Sequence, residues 1–297
     1  MAKKFVAFVA LIIFTVTTAA SDAAYNPDKD PALTRYYSFD GTIGDATPLS
    51  KPDMESELSP GGTVRYADGV HGRALYLDGT VALDIGDDVM SGDGFTVAFW
   101  MAPEAVTPWS AAFFARRSGG RPAFWLSIAP RTDLDSNPGR HMMLWSCGEG
   151  DHAYWFDGVT SVSPEAGKWL HVAVTYDRGE VVVYADGEIV FDTKTATGYT
   201  NDMGRFMKAM GLGGARCYIG ANEFGDAPYR GRIDEFYAFS RALGQDEVKA
   251  LMGYDNAAMS EKAQIRRNNL IIVGSAFAAV AAIVIAYRQI QKRRSRV

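Results

Sequence analysis

The stretch KWLHVAVTYDRGEVVVYADGEIVFD, residues 168–192, decides the fold class. It holds three short runs rich in β-branched and aromatic residues: WLHVAVTY (169–176), VVVYA (181–185) and EIVFD (188–192). The last two are separated by Asp186-Gly187 alone. A two-residue Asp-Gly suits the left-handed positions of a type I′ turn, whose twist matches two paired antiparallel strands. A chain made of such pieces buries apolar side chains at a period of two, not of 3.6.

The same kind of run recurs on both sides. Upstream lie RYYSF (35–39), ALYL (74–77), VALDI (81–85), FTVAFWM (95–101), AFWLSI (123–128) and HMMLWS (141–146). Downstream lie CYIG (217–220) and RIDEFYAFS (232–240). ALYL and VALDI, joined by Asp78-Gly79-Thr80, read as a second hairpin with a three-residue loop. In FTVAFWM both strand faces are largely apolar, as in a strand near the middle of a packed sandwich. Many short strands without long helices between them indicate an all-β antiparallel sandwich or barrel. After Ser240 the period changes, and Gly244–Met252 reads as a short helix with acids in its first turn.

The ends of the chain have another character. Met1-Ala-Lys-Lys, an apolar run from Phe5 to Val16 and small residues through Ala24 match a removable secretory signal over residues 1–23. Leu270–Tyr287 is an uncharged run of 18 residues, long enough to span a bilayer as a helix, and a basic tail follows over 288–297. The positive-inside rule puts that tail in the cytoplasm and the middle of the chain outside. Residues 253–269 are expected to form a juxtamembrane helix. Gly274, Ala278, Ala282 and Ala286 make a small-residue stripe of the kind that permits helix-mediated oligomers. The formal net charge of −5 conceals a partition. Residues 24–261 hold 20 basic and 34 acidic side chains, net −14, and residues 262–297 hold eight basic and no acidic ones, net +8. An acidic exterior domain argues against nucleic acid as partner, while the basic end fits anionic lipid headgroups.

YYSFDGTIGDAT (36–47), GVHGRALYLDG (69–79), GFTVAFWMAP (94–103), the 168–192 stretch, GRIDEFYAFSRAL (231–243) and QDEVKALM (245–252) follow one another in a familiar order. That ordered set resembles the laminin-G-like jellyroll domains of the concanavalin A-like lectin/glucanase superfamily. The resemblance implies a two-sheet antiparallel jellyroll over residues 33–252. It does not fix a function, because this fold hosts lectins, adhesion modules, glycosidases and lyases. The E-x-D-x-x-E strand motif of its glucanases is absent. Asp234-Glu235 is the nearest carboxylate pair, and adjacent strand residues should point to opposite faces.

Asp133, Asp135 and Asn137 stand at i, i+2 and i+4 in a predicted loop, a spacing suited to calcium. The resemblance also implies calcium near the first and last strands, here Asp40 and Asp234. Sugar binding needs an aromatic platform beside polar groups. Trp109, Trp145, Tyr154 and Trp155 in or beside loops supply the first, and Asp157 with its neighbours the second. Cys147 and Cys217 would meet an oxidising exterior and are candidates for a disulfide. The expected function is a membrane-anchored, non-catalytic recognition module for glycans or a surface protein. The alternatives are an accessory subunit of a membrane complex and a carbohydrate-active enzyme.

Overall fold

A computed structural model describes residues 25–50, 60–90, 92–107, 109–117, 124–128, 142–149, 154–160, 162, 164–195, 214–221 and 225–253. The expected signal, juxtamembrane helix, membrane span and basic tail lie outside the described residues, as does the Asp133–Asn137 loop. Among the described residues no helix is long and apolar enough to cross a membrane.

A 3-10 turn, Pro27–Lys29, leads into strands β1 (Leu33–Tyr37), β2 (Thr47–Leu49), β3 (Arg65–Asp68), β4 (Arg73–Asp78) and β5 (Ala82–Gly86). Next come β6 (Gly94–Pro103), β7 (Phe113–Arg117), β8 (Phe124–Ile128), β9 (Met142–Glu149) and β10 (Tyr154–Thr160). The chain continues through β11 (Leu170–Asp177), β12 (Glu180–Ala185), β13 (Glu188–Asp192), β14 (Ala215–Ile219) and β15 (Arg230–Phe239), and ends its described part in helix α1 (Gln245–Gly253). Among the described residues the strands form two antiparallel sheets. One has eight strands, in the order β13-β12-β11-β6-β15-β4-β3 with β1 also on β15; the other has seven, in the order β10-β9-β8-β7-β14-β5-β2. This is the expected all-β two-sheet sandwich, consistent with a jellyroll.

The 168–192 stretch behaves as its sequence dictates. β11, β12 and β13 pair in succession, and β11 lies beside β6 through the register Val172 to Phe99 and Val174 to Val97. Asp186 and Gly187 sit at φ +49° and +74°, the two positive values that a type I′ turn requires. The second expected hairpin does not form. β4 pairs with β3 and β15 in one sheet, and β5 pairs with β2 and β14 in the other. Asp78-Gly79-Thr80 is instead a passage between layers. The Asp78 carboxylate accepts from the Thr80 backbone N–H and Gly79 takes φ +83°, so the chain turns out of the sheet rather than back along it.

The core fills the space between the sheets. Phe95, Val97, Phe99 and Met101 of β6 are buried there, facing Phe113, Ala115, Ile128, Trp145 and Ile219 of the other layer. Phe236 joins the layers: its ring lies 5.7 Å from Phe99, 5.9 Å from Phe113 and 6.0 Å from Tyr37. A second apolar cluster sits on the outer side of the eight-stranded sheet, where Leu243, Val248 and Leu251 cover Ala98, Ala173, Tyr184 and Tyr237. Arg241 fastens this helix to the start of the domain. Its guanidinium donates to Asp30 and to Glu247, and Tyr25 donates to the same Asp30 oxygen at 2.7 Å.

Candidate ligand-binding face

The two faces of the seven-stranded sheet differ. Ala115, Ile128, Cys147, Ala215, Cys217 and Ile219 point into the core. Strand alternation therefore gives their neighbours to the outer face. Register then aligns those neighbours in rows. Trp155 of β10 stands opposite Gly148 of β9, Gly148 opposite Trp125 of β8, Trp125 opposite Arg116 of β7, and Arg116 opposite Arg216 of β14. Two residues further along lies a second row: Asp157, Ser146, Ser127, Phe114, Tyr218 and Asp84. Two tryptophan positions flanking a mid-strand glycine thus run beside a row that begins Asp-Ser-Ser.

Part of the face is covered: Gly148 is buried and Ser127 is 6% exposed. Phe114 and Tyr218 are buried under a small cluster with Leu49, Ala82, Ala111 and Ala221. The Arg116 row lies past that cover. Two arginines directly opposite each other repel, and the fold answers this locally. Arg216 donates through Nε at 2.9 Å and Nη2 at 2.5 Å to the Asp84 carboxylate, which is itself 9% exposed. The Arg116 guanidinium lies over the Tyr218 ring, 5.9 Å from its centroid. Arg216 is thereby held in place while its side chain stays 54% exposed. A guanidinium has five N–H donors, so the ion pair leaves others facing outward.

The residues expected from sequence fall in different places. Trp155 and Asp157 pair through their backbones with Gly148 and Ser146, in the two adjacent rows, and Tyr154 precedes them on the same edge strand. Trp145 does not belong with them: it is fully buried in the core against Phe191, with no face left for a ligand. Trp109 is half-buried in the turn before β7, at φ +64°. Trp125, Gly148, Arg116 and Arg216 were not singled out by the sequence. Their signal was the alternation of AFWLSI against its neighbours, readable only once strand order and register are known. No disulfide joins the cysteines. Cys147, Leu126, Ala115 and Cys217 follow one another across the sheet, so the two sulfurs are three strand spacings apart, about 14 Å, far beyond disulfide reach.

The Asp234–Glu235 pair also departs from expectation. A β-bulge in β15 places Glu235 at φ +48° and breaks the alternation. Asp234 accepts from the backbone N–H groups of Val70 (2.7 Å), His71 (3.2 Å) and Glu235 (3.0 Å), and Glu235 accepts from the hydroxyls of Tyr36 (2.8 Å) and Tyr237 (3.1 Å). Burial pushes both carboxyls up to about 7, against the pull of these hydrogen bonds. Asp40, which accepts from the Arg73 N–H at 2.7 Å, adds its charge to the same field. Asp40 and Asp234 thus lie close enough for the charge of one to act on the other. The oxygens of Asp234 already face N–H donors, and among the described residues no group of three metal-ligating side chains forms. The pair works as a buried knot tying β1, β15 and the β3–β4 turn together.

Comparison with known proteins agrees with this architecture. A family model described as Concanavalin A-like lectin/glucanases superfamily matches residues 77–249. Among solved structures, domain 4 of AbnA, a GH43 extracellular arabinanase from Geobacillus stearothermophilus in complex with arabinotriose, is 30% identical. The match covers 74% of this chain and 98% of that one, with a TM-score of 0.57. The botulinum neurotoxin serotype G binding domain is 15% identical, covering 69% of this chain and 50% of that chain, TM-score 0.42. A heptameric SAP-like pentraxin from Limulus polyphemus is 16% identical, covering 72% and 79%, TM-score 0.39. No curated protein sequence matches the chain.

Proposed function

The chain belongs to the Concanavalin A-like lectin/glucanases superfamily, and from that premise we propose that it is a non-catalytic module binding oligosaccharide on the outer face of its seven-stranded sheet. One observation carries the reading: the row Trp155–Gly148–Trp125–Arg116–Arg216 beside the row opening Asp157–Ser146–Ser127. A sugar offers an apolar ring face and a rim of hydroxyls. Aromatic positions next to acceptors and guanidinium donors are what both parts require.

The placement of the described acids supports non-catalytic action. Retaining hydrolysis needs two carboxyl groups about 5 Å apart at the substrate. Among the described residues the one adjacent acid pair with raised proton affinity, Asp234 and Glu235, is 0% and 2% exposed. It lies in the eight-stranded sheet, away from the proposed site. The relative solved with arabinotriose makes arabino-oligosaccharides the first ligands to try. In this reading the module is anchored by Leu270–Tyr287 with its acidic domain outside the cell.

The test is calorimetric titration of the full chain in detergent with arabino-, xylo-, galacto- and gluco-oligosaccharides, each with calcium and with chelator. Saturable binding of at least one glycan, without turnover, is expected. Absence of binding across the panel refutes the reading, and release of reducing sugar refutes its non-catalytic part.

A further inference from the structure

We infer that the outer side of the eight-stranded sheet holds a binding site for one neutral hydroxyl-type oxygen, a fixed water, between Trp100 of β6 and His171 of β11. It lies on the layer opposite to the proposed sugar-binding face and stands independently of it. Phe95, Val97, Phe99 and Met101 of β6 and Leu170, Val172 and Val174 of β11 point into the core. Strand alternation therefore turns Trp100 and His171 outward. They stand directly opposite each other in register, with ring centroids 5.2 Å apart and planes at 65°. The Arg178 N–H donates to the Asp93 carbonyl and so sets the phase of this ladder. An odd number of residues further along, Trp100 and His171 form a non-hydrogen-bonded pair. Such pairs bring facing side chains closest.

Each ring carries a nitrogen that the fold leaves unpaired. Trp100 Nε1 and His171 Nδ1 are buried without a hydrogen-bond partner among the described residues, and His171 as a whole is 1% exposed. A buried polar atom without a partner forfeits its hydration, and native folds leave few of them. The surroundings do not supply what is missing. The His171 N–H donates to the Asp186 carboxylate at 2.9 Å, and its carbonyl accepts from the Asp186 N–H at 2.9 Å. On one side Ala98 and Ala173 lie under Leu243, Val248 and Leu251. On the other, Ala102 stands opposite Arg232, whose guanidinium donates to the carbonyls of Asp68 and Gly167 and lies 4.7 Å from the Trp169 ring. None of these side chains offers an acceptor to the indole. Burial pushes the His171 imidazole down to about 3, so the ring is neutral, with one nitrogen a donor and the other an acceptor. The indole N–H only donates. An oxygen that both accepts and donates suits the pair: it accepts from Trp100 Nε1 and donates to His171 Nδ1, which leaves the imidazole proton on Nε2. A cation cannot accept from the indole, and the flanking Asp186 and Asp234 disfavour an anion. So little exposure leaves water as the hydroxyl that reaches the spot.

The experiment is NMR of the full chain in detergent with 15N-labelled tryptophan and histidine, the Trp100 indole signal being assigned by its contacts to the His171 ring. The indole proton should show a water cross-peak of the sign that marks a held rather than a passing water. The His171 nitrogen shifts should report a proton on Nε2 and an acceptor at Nδ1. Thermal unfolding supplies a double-mutant cycle. Trp100→Phe should lower the Tm in the wild type and lower it by less than half as much in a His171→Phe background, where the shared water has already lost a partner. An indole proton without a held-water cross-peak, a His171 proton on Nδ1, or Tm losses that simply add would each overturn the proposal. If a variant fails to fold, the wild-type cross-peak and nitrogen shifts decide alone.

Discussion

Raising the pH from 4.5 to 8 should destabilise this domain, and the buried acids set the size of the effect. Asp234 and Glu235 are pushed up to about 7 by burial, from ordinary values of 3.8 and 4.5. The unfolded chain releases these protons near pH 4, whereas the folded chain keeps them until about pH 7. The contribution is therefore fully present below pH 4 and is lost as pH rises through 7. A carboxyl whose proton affinity is raised this far costs about 4 kcal/mol to ionise in place. The two carboxyls share one field, so we count that cost once. In a domain of this size about 4 kcal/mol corresponds to roughly 10 °C in Tm. Carboxylates held below their usual range, such as Asp30 and Glu247 beside Arg241, lose stability only on further acidification. Within the window buried His171, pushed down to about 3 by desolvation, works the other way: its contribution is present above about 6.5 and is lost as pH falls. The comparison with a variant of the pair therefore isolates the pair. The assay is thermal unfolding by circular dichroism with chelator present, for the wild type and for Glu235→Gln, which keeps the shape but cannot ionise. Wild-type Tm should fall across the window, and the variant should fall less. Parallel profiles for wild type and Glu235→Gln would refute the reasoning, because His171 acts equally in both and the difference between them reports the pair alone.

Three further outcomes follow from the packing. Reducing agent should leave the Tm unchanged within about 1 °C, and alkylation after denaturation should label both Cys147 and Cys217 by mass, since two strands lie between them. Phe236→Ala should cost about 3–5 kcal/mol in chemical denaturation, because that ring touches Phe99, Phe113 and Tyr37 across the layer boundary. Arg241→Ala should cost about 2–3 kcal/mol, because it strands the Asp30 carboxylate, only 5% exposed, without its cation; added Asp30→Asn should recover part of that loss in a double-mutant cycle.

The fold was largely legible in the sequence because its information is local. Period-two runs and the Asp186-Gly187 turn specify strands and one hairpin without reference to anything distant. The short strands β2 and β3 carry too few residues for a period to show. β7, FFARR, is apolar at its start and doubly charged at its end, which masks its alternation. Asp78-Gly79-Thr80 misled for a different reason: a three-residue turn is compatible with a hairpin or with a change of layer, and the choice is made by distant partners β14 and β15. The candidate site was legible only in part. Trp155 and Asp157 could be picked out because they lie in one short aromatic-acidic segment. Trp125, Gly148, Arg116 and Arg216 come from four separate strands and are assembled by register, a long-range property. Trp145 misled because alternation alone does not say which face of β9 is the inner one. Glu235 misled because a bulge, invisible in composition, cancels the alternation that should have separated it from Asp234.

The central claim is that the outer row of the seven-stranded sheet holds sugar. Titration of arabinotriose into the full chain, compared with its Trp125→Ala and Trp109→Ala variants, tests it most directly. The account predicts saturable binding to the wild type and to Trp109→Ala, with at least a tenfold loss in Trp125→Ala while its circular dichroism spectrum is unchanged. Equal binding in Trp125→Ala, or loss confined to Trp109→Ala, would contradict it.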